Sequence, residues 1–293
     1  MSFDFKGVST ALVTPFKDGE VDLASYERVV RLNLDKGVEG LVVNGTTGES
    51  PTLNPGEIEM LFQRTQDIVA GQVPVIMGTG SNSTQKTIEM TQFAERMKAD
   101  LALVVTPYYN KPTQAGIIKH FEAICAETNI PLMLYNVPGR TITKIEVDTF
   151  RELQKLDQII GAKEATGDIE FAKKLFPVMN EDFVLVSGDD GTCFDFCLQG
   201  GHGVISVMSN AFPSQTREWM DKARAGQADC IQGFAEYKDV IDAMYAETNP
   251  IGIKMALKLM GVIDSAEMRL PMTEMTEPAT AALKKALEKR GLI

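Results

Sequence analysis

The sequence predicts an α/β fold: a (β/α)8 barrel of the TIM type with a C-terminal helical extension. Three observations predict it. Eight short apolar runs alternate with longer amphipathic stretches up to about residue 224. The runs are nearly continuous rather than alternating in polarity, as in strands of a parallel sheet covered on both faces. The chain has 293 residues, 44% of them hydrophobic, which is enough for one large core. Eight strand–helix units in one chain of this size point to a closed barrel. A doubly wound open sheet is the competitor. Against it, the first strand-to-helix turn, Thr14-Pro15-Phe16-Lys17-Asp18-Gly19, lacks the glycine fingerprint of a dinucleotide site.

The predicted strands run from Gly7 to Pro15, Gly40 to Asn44, Pro74 to Met77 and Leu101 to Thr106, then from Pro131 to Tyr135, Ile159 to Lys163, Phe183 to Ser187 and Gly203 to Val207. Between them, Leu23 to Lys36 places Tyr26, Val29, Val30 and Leu34 at helical spacing. A helix from Asn54 to Val69 opens on a capping asparagine, with Pro55 in the first turn and Glu57 three residues on. Thr113 to Glu127 and Pro213 to Ala225 follow the same pattern. After Ala225 only helices are expected, over Asp229 to Ala246, Pro250 to Met260 and Glu277 to Arg290. The expected organisation is therefore a barrel over 1–224 and a helical region over 225–293 packed on it.

Net charge is −11, with 24% charged residues. The charged fraction is ordinary for a folded protein, and the acidic balance disfavours nucleic-acid backbones and anionic membrane surfaces as partners. No apolar run reaches the roughly 18 residues of a membrane span. The start, Met1-Ser2-Phe3-Asp4-Phe5-Lys6, shows no secretory pattern, so a cytoplasmic protein is expected. The four cysteines fall in predicted helices, and with only His120 and His202 no metal-ligand cluster is visible.

In such a barrel chemistry gathers at the carboxyl ends of the strands. Those ends read Gly45-Thr46-Thr47-Gly48-Glu49-Ser50, Gly78-Thr79-Gly80-Ser81-Asn82, Thr106-Pro107-Tyr108-Tyr109, Tyr135-Asn136-Val137-Pro138-Gly139-Arg140, Lys163-Glu164-Ala165-Thr166-Gly167-Asp168 and Ser187-Gly188-Asp189-Asp190. Lys163 is the most informative, because it continues the apolar run Ile159-Ile160-Gly161-Ala162. Burial disfavours the charged form of a lysine, and a neutral amine is a nucleophile toward carbonyls. The plain alternative is a strand-end lysine paired with Glu164 or Asp189. Tyr135 is either an amphipathic aromatic or a proton-transferring phenol. Thr46 and Thr47 either form a capping turn or bind a carboxylate and relay protons. Arg140 is either a surface residue or a bidentate carboxylate holder. Gly200-Gly201-His202-Gly203 precedes the eighth strand, the wrong end for a phosphate cradle, so it reads as turn chemistry. Asp189-Asp190 reads as a cap for a helix starting near Gly191 rather than a metal pair.

These strand ends resemble the dihydrodipicolinate synthase and N-acetylneuraminate lyase family over essentially the whole chain. The matching segments are GTTGES (45–50), GTGSN (78–82), VTPYYNKP (105–112), YNVPGRT (135–141), GAKEATGD (161–168), SGDD (187–190), GGHGVISV (200–207) and Met268-Arg269-Leu270-Pro271-Met272. The resemblance implies a Schiff-base lysine at Lys163, a proton-shuttling Tyr135, and Thr47 linking it to Tyr109 supplied by a neighbouring subunit. It implies pyruvate-carboxylate donors at Thr46 and Thr47, pocket backbone at Gly188 and Ile205, and Arg140 on the carboxylate of aspartate semialdehyde. It implies no metal or organic cofactor and a homotetramer built of tight dimers. Arg140 favours the synthase branch, which joins pyruvate to aspartate semialdehyde on the route to diaminopimelate and lysine. The lyase branch has an apolar residue there, and another pyruvate-dependent class I aldolase is the alternative. Of the site at which some members bind inhibitory lysine, Ser50, Asn82 and Tyr108 match, whereas Pro55, Ile58 and Lys86 depart. A lysine effector would meet a like charge at Lys86, so weak or absent inhibition is expected.

Overall fold

Eight parallel strands close into a barrel in the order β1-β8-β7-β6-β5-β4-β3-β2. They are β1 (Gly7–Ala11), β2 (Gly40–Val43), β3 (Val75–Gly78), β4 (Leu101–Val105), β5 (Leu132–Asn136), β6 (Ile159–Glu164), β7 (Val184–Ser187) and β8 (Gly203–Ser206). The computed structural model describes residues 4–293; residues 1–3, part of the start read above for a leader, lie outside the described residues. All eight predicted strands are present with ends shifted by a few residues. The seam pairs Gly7 with Gly203. A Cβ on Gly203 would lie 2.0 Å from the Gly7 carbonyl oxygen, so only glycine permits this approach.

Strand alternation sorts side chains between two cores. On β5, Leu132 and Leu134 face outward to the helices, whereas Met133 and Tyr135 face the barrel interior with Val42, Ile76, Val186 and Ile205. On β6, Ala162 packs outward. Lys163 is its neighbour and stands opposite Tyr135 in the β5–β6 register. The period of two thus turns the lysine inward beside the tyrosine.

The barrel helices are α1 (Leu23–Asp35), α2 (Pro55–Val69), α3 (Thr84–Arg96), α4 (Gln114–Glu127), α5 (Val147–Leu153), α6 (Ile169–Leu175), α7 (Cys193–Leu198) and α8 (Pro213–Arg224). Asn54 and Glu57 form the full capping box at the start of α2. Residues read as a plain turn after β1 instead form a hairpin, Phe16–Lys17 paired antiparallel with Glu20–Val21. Its tip is Asp18-Gly19 with φ of 54° and 84°, the left-handed pair that a tight hairpin turn demands.

The C-terminal region contains α9 (Asp229–Glu236), α10 (Lys238–Met244), α11 (Ile251–Leu259) and α12 (Glu277–Lys289). The single helix expected over Asp229 to Ala246 is broken at Tyr237. That ring packs 5.2 Å from Trp219 and 5.8 Å from Phe212, and this tertiary anchor turns the chain between α9 and α10. Phe194, Trp219 and Phe234 complete an aromatic cluster that joins the extension to α7 and α8. Among the described residues no helix is long and apolar enough to cross a membrane.

His120 on α4 is 5% exposed and shares a 2.9 Å hydrogen bond with the Thr84 hydroxyl through Nδ1, while Nε2 is buried without a partner. Burial lowers its pKa from 6.5 to about 4. The folded protein keeps the ring neutral where the unfolded chain takes up a proton. This contribution is therefore fully present above pH 6.5 and is lost as pH falls to about 4, by up to about 3 kcal/mol. We expect the urea midpoint to drop between pH 7 and pH 5 and this drop to shrink in His120→Gln; an unchanged slope in that variant would contradict the assignment.

Candidate active site

A cavity of about 810 Å³ opens at the carboxyl ends of the strands, within the range of small-molecule sites. Lys163 reaches it from β6, and Tyr135 from β5. Lys163 is 6% exposed, with Nζ 4.4 Å from the centroid of the Tyr135 ring. Neither carboxylate weighed as its partner pairs with it. Glu164 points to the other face of β6, where its carboxylate accepts from Asn136 Nδ2 and from the Thr166 backbone N–H, both at 2.6 Å. Burial raises the Glu164 pKa against these hydrogen bonds. Asp189 accepts the Thr192 hydroxyl at 2.8 Å. Gly188 sets the room around the lysine: a Cβ there would lie 2.6 Å from Lys163 Cε and 2.7 Å from Ala165 Cβ.

Thr46 and Thr47 occupy one 3-10 turn, Thr46–Gly48, at the end of β2. Glu49 follows in the left-handed region at φ 56°. Its buried carboxylate pairs with Lys254 Nζ of α11 at 2.7 Å and accepts the Arg269 backbone N–H at 3.2 Å. Asn249 Nδ2 donates to Thr47 Oγ1 at 3.1 Å. Arg140 lies on a single helical turn, Pro138–Thr141, at the exposed rim, and its Nη2 donates to the Asn249 carbonyl at 3.1 Å.

The structure brings Thr46, Thr47, Tyr135, Arg140, Lys163 and Gly188 to one cavity. Two predicted residues stand apart within this chain. Ile205 packs in the barrel interior with Tyr135, and Val207 further along reaches the cavity wall. Tyr109 is 86% exposed with φ 74°, and its neighbour Tyr108 is the one that lines the cavity. Ser50, Pro55, Ile58 and Lys86 line the same cavity, whereas Asn82 offers its carbonyl to Asn110 Nδ2 at 2.7 Å.

The reading of Asp189-Asp190 as a helix cap is corrected. Helix α7 starts at Cys193 after Thr192, without a side-chain cap. Asp190 instead bridges two elements: its Oδ2 accepts the N–H groups of Val207 at 3.0 Å and Met208 at 2.7 Å, and the Tyr245 hydroxyl at 2.5 Å. Burial pushes both ionisable partners upward, the Asp190 carboxyl and the Tyr245 phenol. His202 is structural as expected, its Nδ1 accepting the Leu185 N–H at 2.9 Å. Sequence reading missed Tyr245, Asn249 and Lys254, which lie far along the chain from the residues they touch. The one local signal was Lys254 itself, a cation amid the apolar residues of α11.

A closed parallel barrel with its polar chemistry gathered at one end around a buried lysine and a facing phenol defines the class, a TIM-barrel lyase. The family model described as the Dihydrodipicolinate synthetase family matches residues 4–290, and the chain belongs to that family. It is 47% identical over 291 residues to the 4-hydroxy-tetrahydrodipicolinate synthase of Bdellovibrio bacteriovorus, covering 99% of each chain. It superposes on the crystal structure of dihydrodipicolinate synthase from Thermotoga maritima with a TM-score of 0.96 at 43% identity, covering 100% of both. The chloride-inhibited dihydrodipicolinate synthase from Acinetobacter baumannii, solved in complex with pyruvate, matches with a TM-score of 0.95 at 39% identity, covering 98% of this chain and 99% of that one.

Proposed function

We infer that the chain is a 4-hydroxy-tetrahydrodipicolinate synthase. It condenses pyruvate with L-aspartate 4-semialdehyde in lysine biosynthesis, as a cytoplasmic enzyme. The observation that carries this is a 6% exposed lysine, free of carboxylate partners, facing a tyrosine in a barrel-mouth cavity. Full-length similarity to synthases adds to it.

Lys163 Nζ attacks the pyruvate ketone, and loss of water gives an imine. The imine withdraws electrons, so the methyl group releases a proton and becomes an enamine carbon. That carbon attacks the aldehyde, the new alkoxide takes a proton, and the substrate's amino group displaces Lys163 by ring closure. Tyr135 moves the protons, linked through Thr47 to Tyr109. Exposure of Tyr109 on this chain suits delivery to a neighbour's cavity, and the family resemblance implies a homo-oligomer, a tetramer built of dimers, as the working form. Thr46 and Thr47 hold the pyruvate carboxylate, Gly188 contributes backbone around it while Ile205 packs in the barrel interior with Tyr135, and Arg140 at the rim takes the carboxylate of the second substrate.

The test is a coupled assay with aspartate semialdehyde set against N-acetylneuraminate, together with borohydride reduction in pyruvate and mapping of the modified peptide. Turnover of aspartate semialdehyde and a label on Lys163 are expected; cleavage of N-acetylneuraminate with no condensation would move the chain to the alternative branch. The cavity lining gives a further prediction. Lys86 opposes a cationic effector, and Pro55 and Ile58 offer it no polar contact. L-lysine is expected to inhibit poorly, and half-inhibition in the submillimolar range would refute this.

A further inference from the structure

Asn249 belongs to no barrel element, and it lies 202 positions from Thr47 in the chain, yet the two side chains meet. We propose that Asn249 is a positioning residue for the condensation: by donating to Thr47 Oγ1 it turns the Thr47 proton toward the cavity. This rests on the reading of Thr47 as a member of the proton relay. A carboxamide nitrogen donates and cannot accept. A hydroxyl that accepts its hydrogen must send its own proton elsewhere. Thr47 is 2% exposed and its side chain has no other hydrogen-bond partner among the described residues, so the proton's open direction is the cavity it lines.

Two observations set this contact apart from incidental packing. Asn249 Oδ1 is buried without a partner, a cost that an apolar residue of similar size would avoid. The amide and the hydroxyl are also tied together on either side. Arg140 holds the Asn249 carbonyl at 3.1 Å, and Lys254, 0% exposed on α11, holds Glu49 at 2.7 Å just beyond Thr47. These contacts hold the backbone at Asn249 and the turn that carries Thr47, so the two side chains stay within reach of each other.

The experiment compares Asn249→Asp with Asn249→Ala in the full-length enzyme. Near pH 8 both should lose about 10-fold or more in kcat, with KM for pyruvate within about 2-fold and borohydride labelling of Lys163 retained. An ionised carboxyl only accepts, whereas a protonated one donates again. The kcat of Asn249→Asp relative to wild type should therefore climb as pH falls through the carboxyl pKa, while the Asn249→Ala ratio stays flat. On a Thr47→Val background, Asn249→Ala should add no further loss. Wild-type kcat in both variants, or pH-independent losses in both that add fully to Thr47→Val, overturns the inference. If Asn249→Ala does not fold, the pH profile of Asn249→Asp decides. Absence of labelling in the wild type would overturn the reading of the site and this inference with it. A labelled wild type with indifferent Asn249 variants overturns the inference alone.

Discussion

Replacing Lys163 by alanine should leave a folded protein that borohydride and pyruvate no longer label, with turnover lowered on the order of 10³-fold or more, as loss of a nucleophile does elsewhere. The fold should survive because the amine holds nothing together: Lys163 makes no ion pair among the described residues and touches the Tyr135 ring at the edge of a cavity. Tyr135→Phe is the informative contrast. It keeps the ring against which the lysine packs and removes only the phenolic proton, so labelling should persist while turnover falls roughly 10²–10⁴-fold. Labelling that persisted in Lys163→Ala would place the imine on another amine and end the mechanism.

Lys254→Met should cost about 3–5 kcal/mol of stability, the usual penalty for removing one partner of a buried ion pair. Lys254 is 0% exposed and Glu49 3%. Burial pulls the Lys254 pKa down, and the Glu49 carboxylate beside it pulls it up. The amine also donates to the Glu267 carbonyl at 2.5 Å and lies 4.5 Å from the Phe16 ring centroid. Without it the Glu49 carboxylate is left in the interior with only the Arg269 N–H at 3.2 Å. The double variant Lys254→Met/Glu49→Gln removes both charges and should recover much of the loss. Urea unfolding at fixed protein concentration measures both, and a loss below about 1 kcal/mol in the single variant would show that water reaches the pair.

Much of this was legible in the residues. Eight near-continuous apolar runs are what a fully covered parallel sheet requires, and each became a strand. The cap of α2 was readable because Asn54, Pro55 and Glu57 act within one turn. Lys163 stood out because a lysine ending an apolar run is costly to bury. The Asp18-Gly19 hairpin is equally local, since an Asp-Gly pair between short extended segments is itself a tight-turn signal. The helix broken at Tyr237 was not legible, since its periodicity continues through the break and the cause is a ring seated against Trp219.

The sequence by itself determined the alternation of strands and helices and the end of the barrel where polar residues collect; which face of each strand turns inward came from the closed sheet. Periodicity and capping act over a few residues and need no distant partner. Tertiary structure alone decided that Asn249 meets Thr47, that Lys254 neutralises Glu49, and that Asp190 joins the end of β8 to Tyr245 rather than capping a helix. The first two contacts join residues more than 200 positions apart, and the Asp190–Tyr245 bond spans 55. Their geometry is set by how the C-terminal helices pack onto the closed barrel, and no local pattern encodes that.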